Sequence, residues 1–570
     1  MATKRIQFGK ILLDNQLITE QELEAAIKRQ QSTGERLGQV LIDMGLVKEE
    51  QLLQLLSQQL NIPFVDLRNY SFDPNVVGAL SEFSARRYRA IVLNHDEQGY
   101  LVAMVDPLDL LAIDEIEREL KEPVRTALVK EVDFLSVVDM LYRRTGEIST
   151  LAEELSAELK PNDYDVTQLG AGFTSSDAPV VKLLQNIFED AVQINASDIH
   201  IEPDENVLRI RQRIDGVLHE HVMKEKQIAQ ALTLRLKLMG GLNIAEKRLP
   251  QDGRFSIKVR NRNFDVRLST MPVQYGESVV MRLLDQSAEI LKLDQIGMPK
   301  NMLSRLRRVF SYPNGIILVT GPTGSGKTTT LYGVLSELNK TENKIITVED
   351  PVEYRLPRIN QIQIQPKIDL TFARILRSVL RQDPDIIMIG ELRDQESVSI
   401  ALRAAMTGHL VLSTLHTNDA MSSAVRLIDM GAAGYLVATV LRAILSQRLV
   451  RRICDNCKED YTPTPHELAW LASIKNFSYT GNPFKHGIGC TYCHNTGYKG
   501  RVGVFELLEM TPPLIDSLRD NDTRLFSQLV TDDPDYKPLV TQGLELAVKG
   551  VTTISEVIRI IGESIESNKD

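Results

Sequence analysis

Cysteine is scarce. The 570-residue chain has four, all between Cys454 and Cys493, so no disulfide framework holds it together. Long apolar runs are missing as well, and no segment approaches the ~20 residues that a membrane-spanning helix needs. The basic start, Met1 to Lys10, is followed by Ile11-Leu12-Leu13 and at once by Asp14, which breaks the apolar core of a signal peptide. The expected location is the cytoplasm, with any membrane attachment made through partners. Excess positive charge is lacking too: the formal net charge is −10, which speaks against a mainly electrostatic nucleic-acid binder. What remains is the balance of a globular protein, 43% hydrophobic and 25% charged, with a length that calls for three or four domains.

One stretch organises the rest. Gly321-Pro322-Thr323-Gly324-Ser325-Gly326-Lys327-Thr328, with Thr329 behind it, fits the phosphate-binding loop pattern. Before it, Gly315-Ile316-Ile317-Leu318-Val319 reads as a buried strand. After it, Leu331, Val334, Leu335 and Leu338 recur at helical spacing. Glycines let consecutive backbone N–H groups turn toward phosphate oxygens at the positive end of a helix. Lys327 then reaches the β- and γ-phosphates of ATP, and the Thr328 hydroxyl suits Mg²⁺.

Such a loop needs acids that orient water and hold the metal. Two follow apolar strands: Glu349-Asp350 after Ile345 to Val348, with Glu353 close behind, and Glu391 after Ile386 to Ile389. Gly390 stands where a typical Walker B strand has Asp. Glu391 is the candidate water-activating base, with Glu349 and Asp350 supporting the metal shell. His409 and His416 bracket a further apolar strand, Leu410 to Leu415, and are candidate site residues. Apolar strands alternate with helices near Phe372 to Leu380 and Ser397 to Met406, the mark of a largely parallel sheet. Helical patterns are read from Ser422 to Ile453 and from Leu514 onward.

Ahead of this core, Pro179 to Asn195 reads as an amphipathic helix. Strands follow at Asp198 to Ile201, Val207 to Ile214, Val217 to Val222, Phe255 to Val259 and Phe264 to Thr270, with a turn around Asn261-Arg262-Asn263. This small α+β segment carries arginines on its strands, among them Arg267 and Arg282. Further toward the N-terminus, Ala90 to Leu93 and Tyr100 to Val105 read as strands and Ala112 to Leu120 as a helix. Cys454-x2-Cys457 and Cys490-x2-Cys493 make two knuckles, and four thiolates leave no open coordination position, so the chemistry points to structural Zn²⁺.

Four motifs carry a resemblance that spans the core. They are Gly-Pro-Thr-Gly-Ser-Gly-Lys-Thr-Thr at 321–329, Thr-Val-Glu-Asp-Pro-Val-Glu-Tyr at 347–354, Asp-Pro-Asp-Ile-Ile-Met-Ile-Gly-Glu-Leu-Arg-Asp at 383–394, and Gly-His-Leu-Val-Leu-Ser-Thr-Leu-His-Thr-Asn-Asp-Ala at 408–420. With them the chain resembles the hexameric ATPases of type II secretion and type IV pilus assembly. Gly390 is normal for that family. The resemblance implies an α/β multidomain fold: a RecA-like P-loop ATPase core at 299–570 with the tetracysteine insertion 454–493 and C-terminal helices. A small α+β, PAS-like, arginine-bearing domain at 179–298 precedes it, after a linker at 146–178. It implies a homohexamer that works with an inner-membrane platform protein and a docking protein. It also implies that Arg267 and Arg282 close over the nucleotide and neutralise charge on the γ-phosphate. In the family the tetracysteine loop occurs in export and pilus-extension ATPases and is absent from retraction ATPases.

The N-terminal segment, 1–145, holds an internal repeat. Residues 7–30 and 36–59 align at an offset of 29, pairing Leu12 with Leu41, Leu17 with Leu46, Leu23 with Leu52, Ile27 with Leu56 and Gln30 with Gln59. Each copy reads as two short helices, the second opened by Thr19 or Lys48. A duplicated helical pair that packs as an interaction module accounts for the apolar positions but not for the repeated Gln. The repeat resembles the cyclic di-GMP-binding N-terminal domain of certain pilus-extension and secretion ATPases, as in MSH-type pili. That implies ligand contacts from Arg36, Leu37, Gly38, Leu52, Leu56 and Gln59 in the second copy. In the first copy it implies contacts from Phe8, Gly9, Leu23, Ile27 and Gln30. The first copy departs at Gln7, where the motif has Arg, and at Gln16, where it has Gly; one lost charged contact is worth about 1.5–3 kcal/mol. Pilus extension and protein secretion both stay open as the work done.

Overall fold

The computed structural model describes residues 18–33, scattered positions between 40 and 70, 72–141 except 108, 179–286, 291–474 and 484–562. The chain divides into two compact units, Met1–Arg143 with Gly489–Asn495 and Arg144–Ile488 with Thr496–Asp570. The expected linker at 146–178 lies outside the described residues. So do Phe8, Gly9, Arg36, Leu37, Gly38, Leu52, Leu56 and Gln59 of the repeat.

In the first unit α1 spans Glu20–Thr33. It opens where the repeat places it: the Glu22 N–H donates to Thr19 Oγ1 at 3.4 Å, and Glu22 Oε2 accepts the Thr19 N–H at 2.8 Å, a reciprocal cap. The helix runs three residues past Gln30, into the five residues between the two copies of the repeat. Ile27 and Gln30 lie on it, and their side chains are outside the described ones. Leu23 packs, half-buried, against Ile18, Ala26, Val40, Leu41 and Val47. After α2 (Glu82–Tyr88) comes a three-stranded sheet of β1 (Ala90–Asp96), β2 (Gly99–Met104) and β3 (Val124–Leu128). β1 pairs antiparallel with β2, and β2 parallel with β3 across the α3 helix (Leu110–Leu120). Alternate strand residues bury on opposite faces. Ile91, Leu93 and Ala103 meet Phe134 and Val138 of α4 (Glu131–Leu141), while Val92, Val102 and Met104 meet Ala112 and Ile116 of α3.

The second unit begins with α5 (Pro179–Gln193) and a six-stranded antiparallel sheet. Its strands are β4 (Asp198–Pro203), β5 (Leu208–Ile214), β6 (Val217–Met223), β7 (Gln251–Val259), β8 (Arg262–Val273) and β9 (Gly276–Asp285), in the order β6-β5-β4-β9-β8-β7. Between β6 and β7 lies α6 (Ile228–Met239), which the sequence reading missed along with β9. The β7–β8 turn is Arg260-Asn261, both at positive φ (46° and 66°), so Arg262 and Asn263 belong to the strand rather than the turn. Ile199, Ile201, Val266, Leu268 and Met281 turn toward α5 and α6. The alternate residues make the other face, where Arg213, Asp198, Arg282, Arg267 and Arg254 stand directly opposite one another on successive strands.

After α7 (Lys300–Phe310), a seven-stranded sheet forms with order β12-β11-β13-β14-β10-β15-β18. β10 (Gly315–Thr320) leads into α8 (Lys327–Leu338), followed by β11 (Ile345–Glu349), β12 (Asn360–Gln363) and α9 (Phe372–Val379). Next come β13 (Ile386–Ile389), α10 (Gln395–Met406), β14 (Leu410–Leu415), α11 (Ala420–Asp429) and α12 (Gly434–Val440). Every pairing from β12 to β15 is parallel. Ile316 and Leu318 face one apolar cluster and Ile317 and Val319 the other, which is why these strands read as unbroken apolar runs.

One expectation is overturned. Leu441–Ile453, read as helix, is the thirteen-residue strand β15. It lies parallel to β10 and antiparallel to β18 (Tyr498–Glu509). Leu, Ala and Arg favour a helix locally, but burial between two strands decides the conformation. A small hairpin of β16 (Lys458–Tyr461) and β17 (Phe484–Gly487) lies between the cysteine knuckles, with α13 (Pro465–Ala472) inside it. Helices α14 (Pro512–Arg519), α15 (Thr523–Asp532), α16 (Leu539–Val548) and α17 (Ile554–Ile561) close the unit.

Candidate nucleotide site at the carboxyl edge of the sheet

In a parallel sheet the loops after the strands share one edge, the usual place for a ligand. Here that edge gathers the loop after β10, Glu349 at the end of β11, Glu391 just past β13 and His416 just past β14. The loop 321–328 needs its glycines. Gly321 sits at φ +140°, and a Cβ there would come within 2.4 Å of the Gln447 carbonyl and 2.7 Å of Ser325 Oγ. The Ser325 hydroxyl oxygen is buried without a hydrogen-bond partner among the described residues, which suits an incoming phosphate oxygen. Thr328, in the first turn of α8, is exposed and free to meet a metal ion at the phosphates. Lys327 Nζ donates to the carbonyls of Gly321 (2.8 Å) and Pro322 (3.0 Å). Burial draws its pKa down to about 8, against the pull of Glu391 and with help from the Arg448 charge.

Glu391 is the centre of the site. Arg393 Nη2 lies 2.5 Å from its Oε1 and His416 Nε2 lies 3.6 Å from its Oε2. Burial, and then the charge of Lys327, hold the His416 pKa below its ordinary value, so the ring is neutral at pH 7 and able to accept a proton. Asp350 joins through Arg393, 3.8 Å away. Arg393 lies within the 383–394 motif but was not singled out from sequence. Gln447 was invisible to it: from β15 its Nε2 donates to the Ser325 carbonyl at 2.7 Å, and its Oε1 accepts the Thr330 hydroxyl at 2.8 Å, tying the loop to the first turn of α8.

Of the expected site residues, one stands at the other edge of the sheet and one is already engaged by protein donors. His409 precedes β14, at the opposite edge of the sheet, about 20 Å from the other end of a six-residue strand. Its Nδ1 lies 2.8 Å from the Ala404 carbonyl, where it closes the end of α10. Glu349 is 3% exposed, and protein donors fill its carboxylate: Tyr332 Oη and Thr347 Oγ1 at 2.5 Å each and Gln361 Nε2 at 3.2 Å. Burial pushes its pKa up, against those hydrogen bonds, and the same donors tie the strand end to α8. Arg267 and Arg282 are adjacent across β8 and β9 but held apart by different acids, Arg267 by Glu353 at 2.6 Å and Arg282 by Asp198 at 3.0 Å.

The four cysteines converge. Cys454, Cys457, Cys490 and Cys493 are buried with sulfur atoms within 4.8 Å of one another, a donor set that fits Zn²⁺. Gly487 and Gly497 pack backbone to backbone beside them, where either Cβ would approach the other's carbonyl oxygen within 2.3 Å.

The family of Type II/IV secretion system proteins matches residues 174–559, which include the six-stranded and seven-stranded sheets. The chain belongs to that family. The MshEN domain family matches residues 60–148, beside the internal repeat and not over it. Among similar proteins, the "Type IV pilus assembly ATPase PilB" of Myxococcus xanthus is 37% identical over 97% of this chain and 98% of its own length. The "Type II secretion system protein E" of Xanthomonas campestris pv. campestris is 38% identical over 96% of this chain and 97% of its own. The "Type II secretion system ATPase E" of Vibrio cholerae is 39% identical over 84% and 96% respectively. Among the described residues no helix is long and apolar enough to cross a membrane.

Proposed function

We propose that this secretion-family ATPase is the motor that assembles type IV pilus or type II secretion pseudopilus subunits at the inner membrane. The observation that carries the reading is the convergence of Lys327, Glu391 and His416 on one sheet edge. In this reading residues 321–329 cradle the phosphates, and Lys327 meets the β- and γ-phosphates as a cation. Thr328 holds Mg²⁺, which when bound neutralises charge on those phosphates. Glu391 orients the attacking water and takes its proton, with neutral His416 beside it and Arg393 fixing the carboxylate. Arg267 and Arg282 close over the nucleotide from the small domain, where the guanidinium geometry suits phosphate oxygens.

The finer architecture follows the same reading. A regulatory and docking domain at 1–145 and a linker at 146–178 precede a PAS-like domain at 179–298 and a RecA-like core at 299–570. Six copies form the ring and act on a platform protein in the membrane. Zn²⁺ on Cys454, Cys457, Cys490 and Cys493 has a structural role, since four thiolates close its coordination. The MshEN match supports cyclic di-GMP as a regulator bound by the N-terminal domain. The relatives' names cover both pilus assembly and type II secretion, and one experiment separates them. A strain deleted for this gene loses either surface pili or a secreted protein, and the wild-type chain restores it while Glu391→Gln does not. Loss of neither phenotype contradicts the proposal.

A further inference from the structure

Three arginines of the cross-strand row have acid partners close at hand. Arg213 and Arg282 are held by Asp198 and Arg254 by Asp265, both acids of the same sheet. Arg267 differs. Its Nη1 and Nη2 lie 3.3 and 2.6 Å from Oε1 and Oε2 of Glu353, a two-pronged pair that reaches from the small sheet to the loop after β11. The side chains are 24% and 27% exposed. Glu353 is itself fixed: its N–H donates to Tyr332 Oη at 3.3 Å, and that hydroxyl donates to the buried Glu349 at 2.5 Å. Tyr332 lies on α8, the helix that Lys327 opens. Asp350, three residues before Glu353, faces Arg393 of the Glu391 cluster. The pair is therefore anchored to the phosphate-binding helix.

We infer that Glu353 is a positioning residue for Arg267 that competes with the γ-phosphate for its guanidinium, so that ATP and not ADP opens the pair. This rests on the reading of Arg267 as an arginine that meets the nucleotide. The edge of a guanidinium that grips a carboxylate through two N–H bonds also grips a phosphate, and it cannot serve both at once. The terminal phosphate of ATP supplies the competing charge; a diphosphate ends one group short and leaves Arg267 on Glu353. Hydrolysis and phosphate loss then return the arginine to its acid. The cost of breaking the pair is subtracted from ATP binding alone.

The test is equilibrium binding of Mg²⁺–ADP and of a Mg²⁺–bound non-hydrolysable ATP analogue to the full chain. Four proteins are compared: wild type, Glu353→Gln, Arg267→Gln and the double variant. Glu353→Gln should tighten the analogue by roughly threefold to tenfold while ADP stays within about twofold, the range of one partly exposed ion pair. Arg267→Gln should weaken the analogue, and the double variant should match Arg267→Gln. A gain confined to the triphosphate is not what a damaged fold produces. Unchanged or weaker analogue binding by Glu353→Gln, with Arg267→Gln still weakening it, overturns the competition and leaves the arginine's role standing. No effect of Arg267→Gln overturns both. Should Glu353→Gln fail to fold, Glu353→Asp, which lengthens the pair, should show a smaller gain of the same sign, and a loss there counts against the inference.

Discussion

Glu556 on α17 is the buried charge on which the end of β15 depends. Its side chain is 0% exposed and accepts from the Arg451 N–H at 3.0 Å, Arg451 Nη2 at 2.9 Å, and Arg559 Nε and Nη2 at 2.9 and 2.6 Å. The Arg451 guanidinium stacks over Tyr498 at 4.0 Å, tying in β18. Burial alone would raise the carboxyl pKa, but hydrogen bonds from Arg559 and Arg451 outweigh it and hold the value near 2, below an ordinary 4.5. That difference is worth on the order of 3 kcal/mol. The folded pKa is depressed, so the stabilisation is full above pH 4.5 and is lost as pH falls toward 2. Glu556→Gln removes the charge and leaves Arg451, 19% exposed, without a full counter-charge. Because several domains share the chain, the readout is hydrogen exchange of residues 441–453 and 554–561, not a single melting curve. At pH 7 the variant should exchange there about a hundredfold faster, for about 3 kcal/mol of lost protection, and the gap should close as pH falls below 4.5. Equal protection at pH 7, or a gap independent of pH, would refute the reasoning. The same strand carries Gln447 at the phosphate loop, so loosening it should also weaken ATP binding.

Other outcomes follow from the same geometry. Elemental analysis of the purified chain should find one zinc per chain, and Cys490→Ser should lower that content and unfold the knuckles; full occupancy in the variant would dismiss the tetrathiolate site. His416→Ala should lower ATP turnover by about tenfold or more while His409→Ala leaves it nearly unchanged, since only the first lies beside Glu391; equal losses would contradict the edge assignment. Calorimetric titration of the full chain with cyclic di-GMP should show binding that Arg36→Ala weakens by about tenfold or more, and no heat at tens of micromolar ligand would end that reading.

The sequence was most informative where local chemistry and position coincide. The phosphate loop between strand and helix, the acids and His416 after apolar runs, and the two Cys-x2-Cys pairs could all be read because each pattern is short and self-contained. His409 misled because a histidine beside a strand says nothing about which edge of the sheet it occupies. The buried donors around Glu349 were not legible, because an acid at a strand end can turn to water, metal or protein groups, and only packing brings Tyr332 and Thr347 to it. β15 was misread as helix because its Leu, Ala and Arg content is helical by propensity, and the partner that makes it a strand, β18, lies some fifty residues later. Gln447 and the Arg267–Glu353 pair depend on residues 122 and 86 positions apart, beyond any local signal.

The most direct test of the central claim is steady-state ATP hydrolysis by wild type and Glu391→Gln, with ATP affinity measured on both. The variant should lose about a hundredfold or more in turnover and keep its ATP affinity within about threefold, because the base acts in the chemical step and Lys327 still holds the phosphates. Equal turnover by the two proteins would contradict the account.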